Sequence, residues 1–402
     1  ADYTPTSDNA KAKVVINTCD VSIENVYGGG NAASVNETEV LVSGAYEIGY
    51  VFGGGNGKDP YLQGTTWTVN PGADIIGDTN TLLTGGTIHE AYGGSNEKGH
   101  IGGSININTG SGGSCDLAFD KIVGAGKNAD IDGDIILVLG CMPEEKTPLV
   151  FGGADNANVN GNVELTITSG TFGKVFGGNN LGGIIKGHIL VNIEETGCTP
   201  INIDELYLGG NEAAYSRYGY YETTDQTGNT VYLPRTEEMH DTDTYDENYK
   251  APVENPSNTD GKHPFPYDQP VLNVISCTRI GKVFGGGYGA GAAMYADPTV
   301  NINMIPGSHA TSIDADGNGT ADNNAHALGA VGDVFGGGNE ATVEGNTYVN
   351  IATEVGKEYT LNNSEKVTVS GAYITGSVYG GGNAADVTGN TNVVMAGGFV
   401  FD

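Results

Sequence analysis

Apolar and polar residues alternate in short runs along the whole chain, and glycine or asparagine separates one run from the next. A period of two predicts β-strands that are buried on one face, and no stretch places its apolar residues at helical spacing. One phrase recurs among the runs: an aliphatic residue, an aromatic residue, two or three glycines and an asparagine. Its eight clear copies begin at Val26, Val51, Ala91, Val150, Val175, Val283, Val334 and Val378, and two degenerate copies begin at Ile122 and Tyr207. Such a repeat predicts a solenoid.

The shortest spacing between copies gives the size of the repeating unit. Tyr27 and Phe52 are 25 residues apart, and so are Phe151 and Phe176. Each unit contains three alternating runs, which predicts three strands joined by turns. Units this short bury their apolar face only by stacking on one another. We therefore predict an all-β fold, a single-stranded right-handed parallel β-helix (β-solenoid) of about ten three-strand coils, with the hand taken from the crossover rule for parallel strands.

The predicted β-helix domain covers residues 13–402 and follows a polar N-terminal tail, residues 1–12. Two segments interrupt it: a Tyr/Pro-rich insertion at 213–270 and an Asp/Asn/Gly loop at 306–330. Neither end offers an amphipathic capping helix, so we expect a segment of a longer repeat protein.

Stacking turns equivalent positions of successive units into columns. The aromatic position predicts a buried stack of rings, formed by Tyr27, Phe52, Tyr92, Phe151, Phe176, Phe284, Phe335 and Tyr379. A second column, at a turn, holds Asn31, Asn56, Asn96, Asn180, Asn339 and Asn383. Asparagine suits turns, and its amide can bond to the copy in the next coil. We interpret this column as structural; ligand binding by the asparagines is the alternative.

Composition and charge exclude several classes of protein. Glycine supplies 66 of the 402 residues, but not at every third position, which excludes collagen. Acidic residues outnumber basic ones 49 to 17, and the formal net charge of −32 repels nucleic acid and anionic membranes. No apolar run approaches the ~20 residues of a membrane span. We therefore expect neither a nucleic-acid partner nor membrane insertion by this segment.

The insertion at 213–270 is the strongest candidate for ligand contact, because it holds eight of the 21 tyrosines. Tyrosine combines a flat apolar face with a hydroxyl group, which suits sugars and protein partners. We predict a binding shelf formed by Tyr218, Tyr220, Tyr221, Tyr245 and Tyr249, with Asp241, Asp243 and Asp246 at its rim. In the alternative interpretation these tyrosines only pack the insertion onto the β-helix.

The loop at 306–330 resembles the calcium loop of EF-hand and dockerin proteins. The resemblance implies a Ca²⁺ ligand set of Asp314, Asp316, Asn318, the Thr320 carbonyl and Asp322. The pattern departs from the family at position 12, where Ala325 replaces the bidentate acid. The alternative is a solvated turn without a metal.

The five cysteines, Cys19, Cys115, Cys141, Cys198 and Cys277, share one place in the repeat, seven to ten residues before the aromatic position. Cys115 with Cys141, and Cys198 with Cys277, fall in neighbouring coils within reach of a disulfide, which leaves Cys19 over. We expect free, buried cysteines that act as small apolar side chains. Disulfides are the alternative.

No catalytic motif accompanies the repeat. No pair of histidines has zinc-protease spacing, and arginine occurs only at Arg217, Arg235 and Arg279. A β-helix lyase needs a basic residue beside acidic metal ligands, and no such group stands out. We therefore predict no enzymatic activity.

The repeated phrase resembles large repetitive surface proteins of gut bacteria, which look like adhesins or stalks on a pectate-lyase-like solenoid. The resemblance implies a non-enzymatic protein, secreted or at the bacterial cell surface, whose loops bind a host or bacterial surface glycan or protein. The first alternative is a carbohydrate-active β-helix enzyme, a polysaccharide lyase or glycoside hydrolase. The second is a pure structural spacer or a passenger domain of the kind labelled as a protease.

Overall fold

A computed structural model describes residues 11–57, 61–68, 72–226, 228–235, 249–250, 269–309 and 328–400. Every regular element in these ranges is a β-strand, and most of the strands pair in parallel with the equivalent strand of the next coil. The predicted parallel β-helix is thus confirmed. Its right hand stays a prediction from the crossover rule, because strand pairing alone does not depend on it.

Two long parallel sheets form two faces of the coil. Sheet 1 stacks β1 (Ala12–Asn17), β3 (Thr38–Gly44), the first half of β7 (Thr79–Tyr92), β8 (Ile105–Thr109), β10 (Ile135–Leu139), β12 (Val163–Ile167), β14 (Ile189–Glu194), β20 (Val271–Ser276), β23 (Thr299–Ile302), β25 (Thr347–Ile351) and β30 (Thr391–Met395). Sheet 2 stacks β2 (Ser22–Tyr27), β4 (Glu47–Phe52), the second half of β7, β9 (Leu117–Val123), β11 (Thr147–Phe151), β13 (Gly170–Phe176), β15 (Ile201–Tyr207), β21 (Arg279–Phe284), β24 (Ala330–Phe335), β28 (Tyr373–Ile374) with β29 (Val378–Tyr379), and β31 (Phe399–Val400).

The third face is thinner than predicted. In most coils one residue makes a single parallel bridge to the next coil instead of a full strand: Val35, Ile75, Ile101, Ile131, Val159, Ile185, Met294, Val343 and Val387. Between Ile185 and Val343 the face includes a short strand pair, β16 (Tyr215–Ser216) and β22 (Met294–Tyr295). Glycine and Asx residues lie next to most of these bridges and turn the chain too soon for a longer ladder.

Three small antiparallel units project from the turns. They are β5 (Tyr61–Gln63) with β6 (Thr66–Thr68); β17 (Tyr220–Thr224) with β18 (Thr230–Pro234) and β19 (Tyr249–Lys250); and β26 (Glu358–Thr360) with β27 (Lys366–Thr368). Because β16 still belongs to the coil, the insertion begins after Ser216 and not at residue 213, as the sequence had suggested.

Alternate side chains of both sheets fill the interior. In β12, for example, Val163, Leu165 and Ile167 are fully buried in one continuous aliphatic core. The glycines of the phrase face this core where no side chain fits. A Cβ added to Gly177 would lie 2.5 Å from the Leu208 carbonyl oxygen and 2.7 Å from a methyl group of Val191. The repeat therefore requires glycine at this corner.

The aromatic column is confirmed as a stack, with Phe52, Phe151, Phe176, Phe284 and Phe335 buried, and it forms a cluster separate from the aliphatic core; its last ring, Tyr379, is 47% exposed. In each copy the aliphatic residue points inward and the next, aromatic residue points to the other side of sheet 2. Neighbouring rings stack nearly parallel, with centroids 4.6–5.2 Å apart. Tyr207 joins the column although its copy of the phrase is degenerate, and Val123 interrupts it.

The asparagine column is also confirmed as a ladder of amides. Asn56 Nδ2 donates to Asn31 Oδ1 at 2.7 Å, and Asn96 Nδ2 donates to Asn56 Oδ1 at 2.8 Å. Asn383 donates in the same way to Asn339. Every bond runs from one coil to the coil before it, so the ladder has a direction.

The expectation of free cysteines is wrong for four of the five. Cys19 bonds to Cys115 and Cys141 to Cys198, with Cα–Cα distances of 6.0 and 4.7 Å, and Cys277 remains free and buried. The pairing by neighbouring coils fails as well. The turn after β8 folds back over two coils to bring Cys115 to Cys19. The coil formed by β12 and β13 has no cysteine at this corner, so Cys141 pairs with Cys198 in the coil beyond it. Both disulfides therefore join coils that are not adjacent.

Replacement of Phe176 by alanine tests the aromatic column. We expect the free energy of unfolding to fall by about 3–5 kcal/mol, because the substitution leaves a cavity between two stacked rings. Chemical denaturation would measure it, with Tyr46→Ala as the control, since the Tyr46 side chain is 69% exposed. Equal stability of the two variants would contradict a buried stack.

Candidate functional site

A column of charged residues follows the aromatic column on the outward face of sheet 2. Its members stand two residues before the aromatic position and pair in register; in order they are Tyr50, Glu90, Lys121, Leu149, Lys174, Glu205, Lys282 and Asp333. Parallel neighbours lie ~4.8 Å apart, so a uniform sign would be repulsive. Alternation of acid, base and apolar residues avoids that repulsion.

The densest part of this face, the Lys121 cluster, consists of Glu90, Tyr92, Lys121 and Asp155. Lys121 Nζ lies 2.8 Å from Glu90 Oε2 in the preceding coil and 3.7 Å from Asp155 Oδ1 in the following coil. The Tyr92 hydroxyl donates to the same Glu90 oxygen at 2.5 Å, and the amine is 5.2 Å from the centre of the Tyr92 ring. One lysine is thus enclosed by two carboxylates and an aromatic face.

The Lys121 cluster lies where the sequence departs from its own repeat. Val123 stands where eight coils have phenylalanine or tyrosine in the predicted column, and Asp155 stands where the turn usually has asparagine. Valine offers Tyr92 no ring to stack on, and the Lys121 amine lies 5.2 Å from the centre of the Tyr92 ring, with Asp155 as its partner in the following coil. Where residues that differ from the repeat lie next to one another, they indicate a local role other than the stacking of coils.

Electrostatics favour the ionised form of Glu90 and the neutral form of Tyr92. Burial would raise the pKa of Glu90, but the bonds from Lys121 and Tyr92 outweigh it and lower that pKa. Burial, together with the bond to Glu90, raises the pKa of Tyr92. A tyrosine of this kind is a hydrogen-bond donor and not a base. The arrangement holds paired charges at partly buried positions and places the Lys121 amine in contact with a carboxylate.

A second group lies further along the same face. Lys174 Nζ is 3.1 Å from Glu205 Oε2 and 3.8 Å from the centre of the Tyr288 ring. Tyr288 replaces the turn asparagine of its coil and meets Tyr207 edge to face, and the Tyr207 hydroxyl donates to Glu205 at 2.9 Å. Lys174 and Glu205 are therefore also paired with each other, and this ion pair occupies that part of the outward face of sheet 2.

The insertion forms a three-stranded accessory sheet with β17 at its centre. The shelf prediction is wrong for Tyr218 and Tyr220, because both side chains are buried. The Tyr220 hydroxyl accepts from the Ser216 backbone amide at 2.7 Å and donates to the Ile185 carbonyl at 3.2 Å. These two rings fasten the insertion to the β-helix, as the packing interpretation proposed.

The other face of the accessory sheet is directed away from these anchors. Tyr221 is half-buried and pairs across the strands with Leu233, whose side chain is 54% exposed. The Arg235 guanidinium lies 5.3 Å from the centre of the Tyr221 ring. Tyr249 is the register partner of Tyr221 in β19. Tyr245, Asp241, Asp243 and Asp246 lie outside the described residues.

The calcium candidates Asp314, Asp316, Asn318, Thr320 and Asp322 also lie outside the described residues. Among the residues that are described, no three His, Cys, Asp or Glu side chains are grouped as metal ligands. Calcium therefore stays a prediction from the sequence.

Two adjacent buried glutamates, which the sequence analysis missed, hold other segments against the coil. Glu195 accepts from the Thr278 hydroxyl at 2.7 Å and from the His309 backbone amide at 3.1 Å. Glu194 accepts from the Asn362 backbone amide at 2.8 Å, and burial raises its pKa despite this bond. They fasten the hairpin of β26 and β27, and the start of the 306–330 loop, to the end of β14. Only Glu195, which continues the inward positions Ile189, Val191 and Ile193, breaks the alternating pattern in a way that could have drawn attention to it.

The fold defines the class of this protein as a parallel β-helix. Comparison of the chain with known protein families, with curated proteins and with solved structures finds no match in any of the three. The described residues contain no helix long and apolar enough to cross a membrane.

His89 supplies a pH-dependent contact on the same face. Its Nδ1 lies 2.6 Å from Asp120 Oδ2 and its Nε2 lies 2.8 Å from Glu47 Oε1, so it bridges three coils. The bonds to Asp120 and Glu47 raise the pKa of His89. Its stabilising contribution is therefore complete below the unfolded pKa of ~6.5 and is lost as the pH rises through the higher folded value.

We expect His89→Asn to melt at a lower temperature than the wild type in acid, and the difference to shrink as the pH rises above about 7. Thermal denaturation of both proteins over a pH series would measure this. A difference that stays constant with pH would contradict a charged His89 bridge.

Proposed function

We propose that this chain is a non-enzymatic bacterial protein, secreted or at the cell surface, that acts as an adhesin or stalk. Its β-helix is a stiff rod, and its insertion binds a host or bacterial surface glycan or protein. The observation that carries the proposal is the two-sided accessory sheet. Tyr218 and Tyr220 are buried against the coil, while the half-buried Tyr221 and the 54% exposed Leu233 form a cross-strand pair on the opposite face from Tyr220. An anchored sheet with a partly exposed tyrosine beside an exposed leucine is suited to present a ligand contact.

Chemistry elsewhere in the chain supports an extracellular location. Disulfides persist in oxidising compartments, and two of them join distant coils here. The net charge of −32 favours solubility and discourages lateral association of exposed strand edges. The same charge is the reason to expect no nucleic-acid partner.

The alternative of a polysaccharide lyase or glycoside hydrolase would have to use the Lys121 cluster, where two carboxylates flank a lysine. A lyase needs an unprotonated base, and a hydrolase needs a protonated acid. Here the lysine and both carboxylates are paired with one another, and only 16% of the Lys121, 27% of the Glu90 and 8% of the Asp155 side chain is exposed, so a polymer has little access to them. We therefore assign the cluster no role in polysaccharide cleavage and expect no cleavage of acidic or neutral polysaccharides by the purified protein.

The double variant Tyr221→Ala, Leu233→Ala tests the binding proposal. We expect about tenfold or greater loss of binding to a glycan array or to intact host and bacterial cells, because the contact pair is removed. Tyr46→Ala is the matched control, since it removes an exposed tyrosine from the coil itself. Unchanged binding by the double variant would contradict the proposal, and absence of binding by the wild type would favour a pure spacer.

Calcium binding by the 306–330 loop is a separate proposal, supported by the spacing of Asp314, Asp316, Asn318, Thr320 and Asp322. We expect added Ca²⁺ to raise the melting temperature of the wild type, because a ligand that binds only the folded state stabilises it. The variant Asp316→Ala, Asp322→Ala should not respond. A wild-type melting temperature that neither calcium nor a chelator changes would contradict the proposal.

A further inference from the structure

Lys121 has the least exposed side chain of the described lysines that pair with a carboxylate. Only 16% of its side chain and 8% of that of Asp155 are exposed. Its amine contacts a carboxylate of the coil before and a carboxylate of the coil after, at 2.8 and 3.7 Å. The other described lysines that pair with carboxylates have 34–66% of their side chains exposed. Lys121 is therefore placed differently from an ordinary surface ion pair.

We propose that Lys121 and Asp155 condense into an intramolecular amide, so that a covalent bond joins the two neighbouring coils on their outer side. Glu90, which contacts the reacting amine, relays the proton. The proposal is independent of ligand binding by the insertion.

The contacts of Asp155 prepare it for attack. Asn180 Nδ2 donates to Asp155 Oδ1 at 2.5 Å, and Oδ1 is also the oxygen nearest to Lys121. A donor on that oxygen draws electron density from Cγ and helps the oxygen to leave as water. Lys121 approaches with the Tyr92 ring beside it. Fixed placement of two reactants replaces a bimolecular encounter with a unimolecular step.

The reaction balances without an external reagent. The Lys121 ammonium gives a proton to the Glu90 carboxylate, and the free amine adds to Cγ of Asp155. The tetrahedral intermediate transfers its second amine proton to one carboxyl oxygen and expels that oxygen. That oxygen leaves as water with the proton returned by Glu90. The net change is ammonium plus carboxylate to amide plus water, with no oxidation, and Glu90 ends as it began. The step occurs once per molecule, so it needs no turnover.

The repeat itself explains why the bond would form here. At other turns of the described chain the corresponding residue is usually asparagine, which bonds along its own column. Asp155 is an acid at that position, next to the one coil whose aromatic residue is replaced by valine. Lys121 and Asp155 therefore meet where two positions, 123 and 155, both differ from the usual residue of the repeat.

Intact-mass spectrometry of the reduced, denatured wild-type protein tests the proposal. We expect a mass lower than that of the sequence by one water molecule. We also expect a branched peptide that contains Lys121 and Asp155, with no tryptic cleavage after Lys121. A wild-type mass equal to that of the sequence would overturn the proposal.

Two variants separate the amide from other causes. Lys121→Arg keeps the ion pairs but cannot form this bond, so it should have the full mass, and circular dichroism would confirm its fold. Glu90→Gln should lower the fraction of cross-linked molecules in freshly purified protein. A missing water that persists in Lys121→Arg would belong to an Asp-Gly succinimide, as at Asp132–Gly133, and would count against the amide. An unchanged fraction in Glu90→Gln would remove Glu90 from the relay.

Discussion

Parallel stacking in register is the constraint on which this structure depends. Each residue lies about one strand spacing, ~4.8 Å, from its equivalent in the coils before and after. A residue type that recurs at one position of the repeat therefore stacks on its own copies and forms a column. Aliphatic columns make the core and aromatic columns make the ring stack, while amide columns make directed ladders. Charge is the one chemistry that cannot be repeated unchanged, and the alternation around Lys121 and Lys174 reflects that limit.

The same constraint explains what the sequence could predict. Repetition averages over many copies, so the strands, the ring stack and the asparagine ladder follow from spacing alone. The number of coils follows in the same way. The third face was overestimated, because glycine and Asx residues shorten its strands to single bridges. Even there the direction of the chain and its register were correct.

Unique features escaped prediction because no second copy supports them. The partners of Cys19 and Cys141 depend on how one turn folds back and on which coil lacks a cysteine, and neither is a local property. The burial of Tyr218 and Tyr220 depends on how the insertion meets the flank. The sequence marks the Lys121 cluster only through residues that differ from the repeat, such as Val123 and Asp155, and the members of the cluster are far apart in the sequence. A repeat protein is thus predictable where it repeats, and its individual chemistry lies in the exceptions.

The disulfides also change how such a rod would carry a mechanical load. Cys19 and Cys115 are separated by 96 residues, and Cys141 and Cys198 by 57. Tension between the chain ends would pass through the sulfur atoms and bypass the strands between them. At 3.3–3.6 Å per extended residue, roughly 320–350 Å and 190–205 Å of chain would stay slack. A pulled molecule would therefore lengthen in the coils after Cys198, while the earlier coils would release little chain, and the first half of the rod would behave as nearly inextensible.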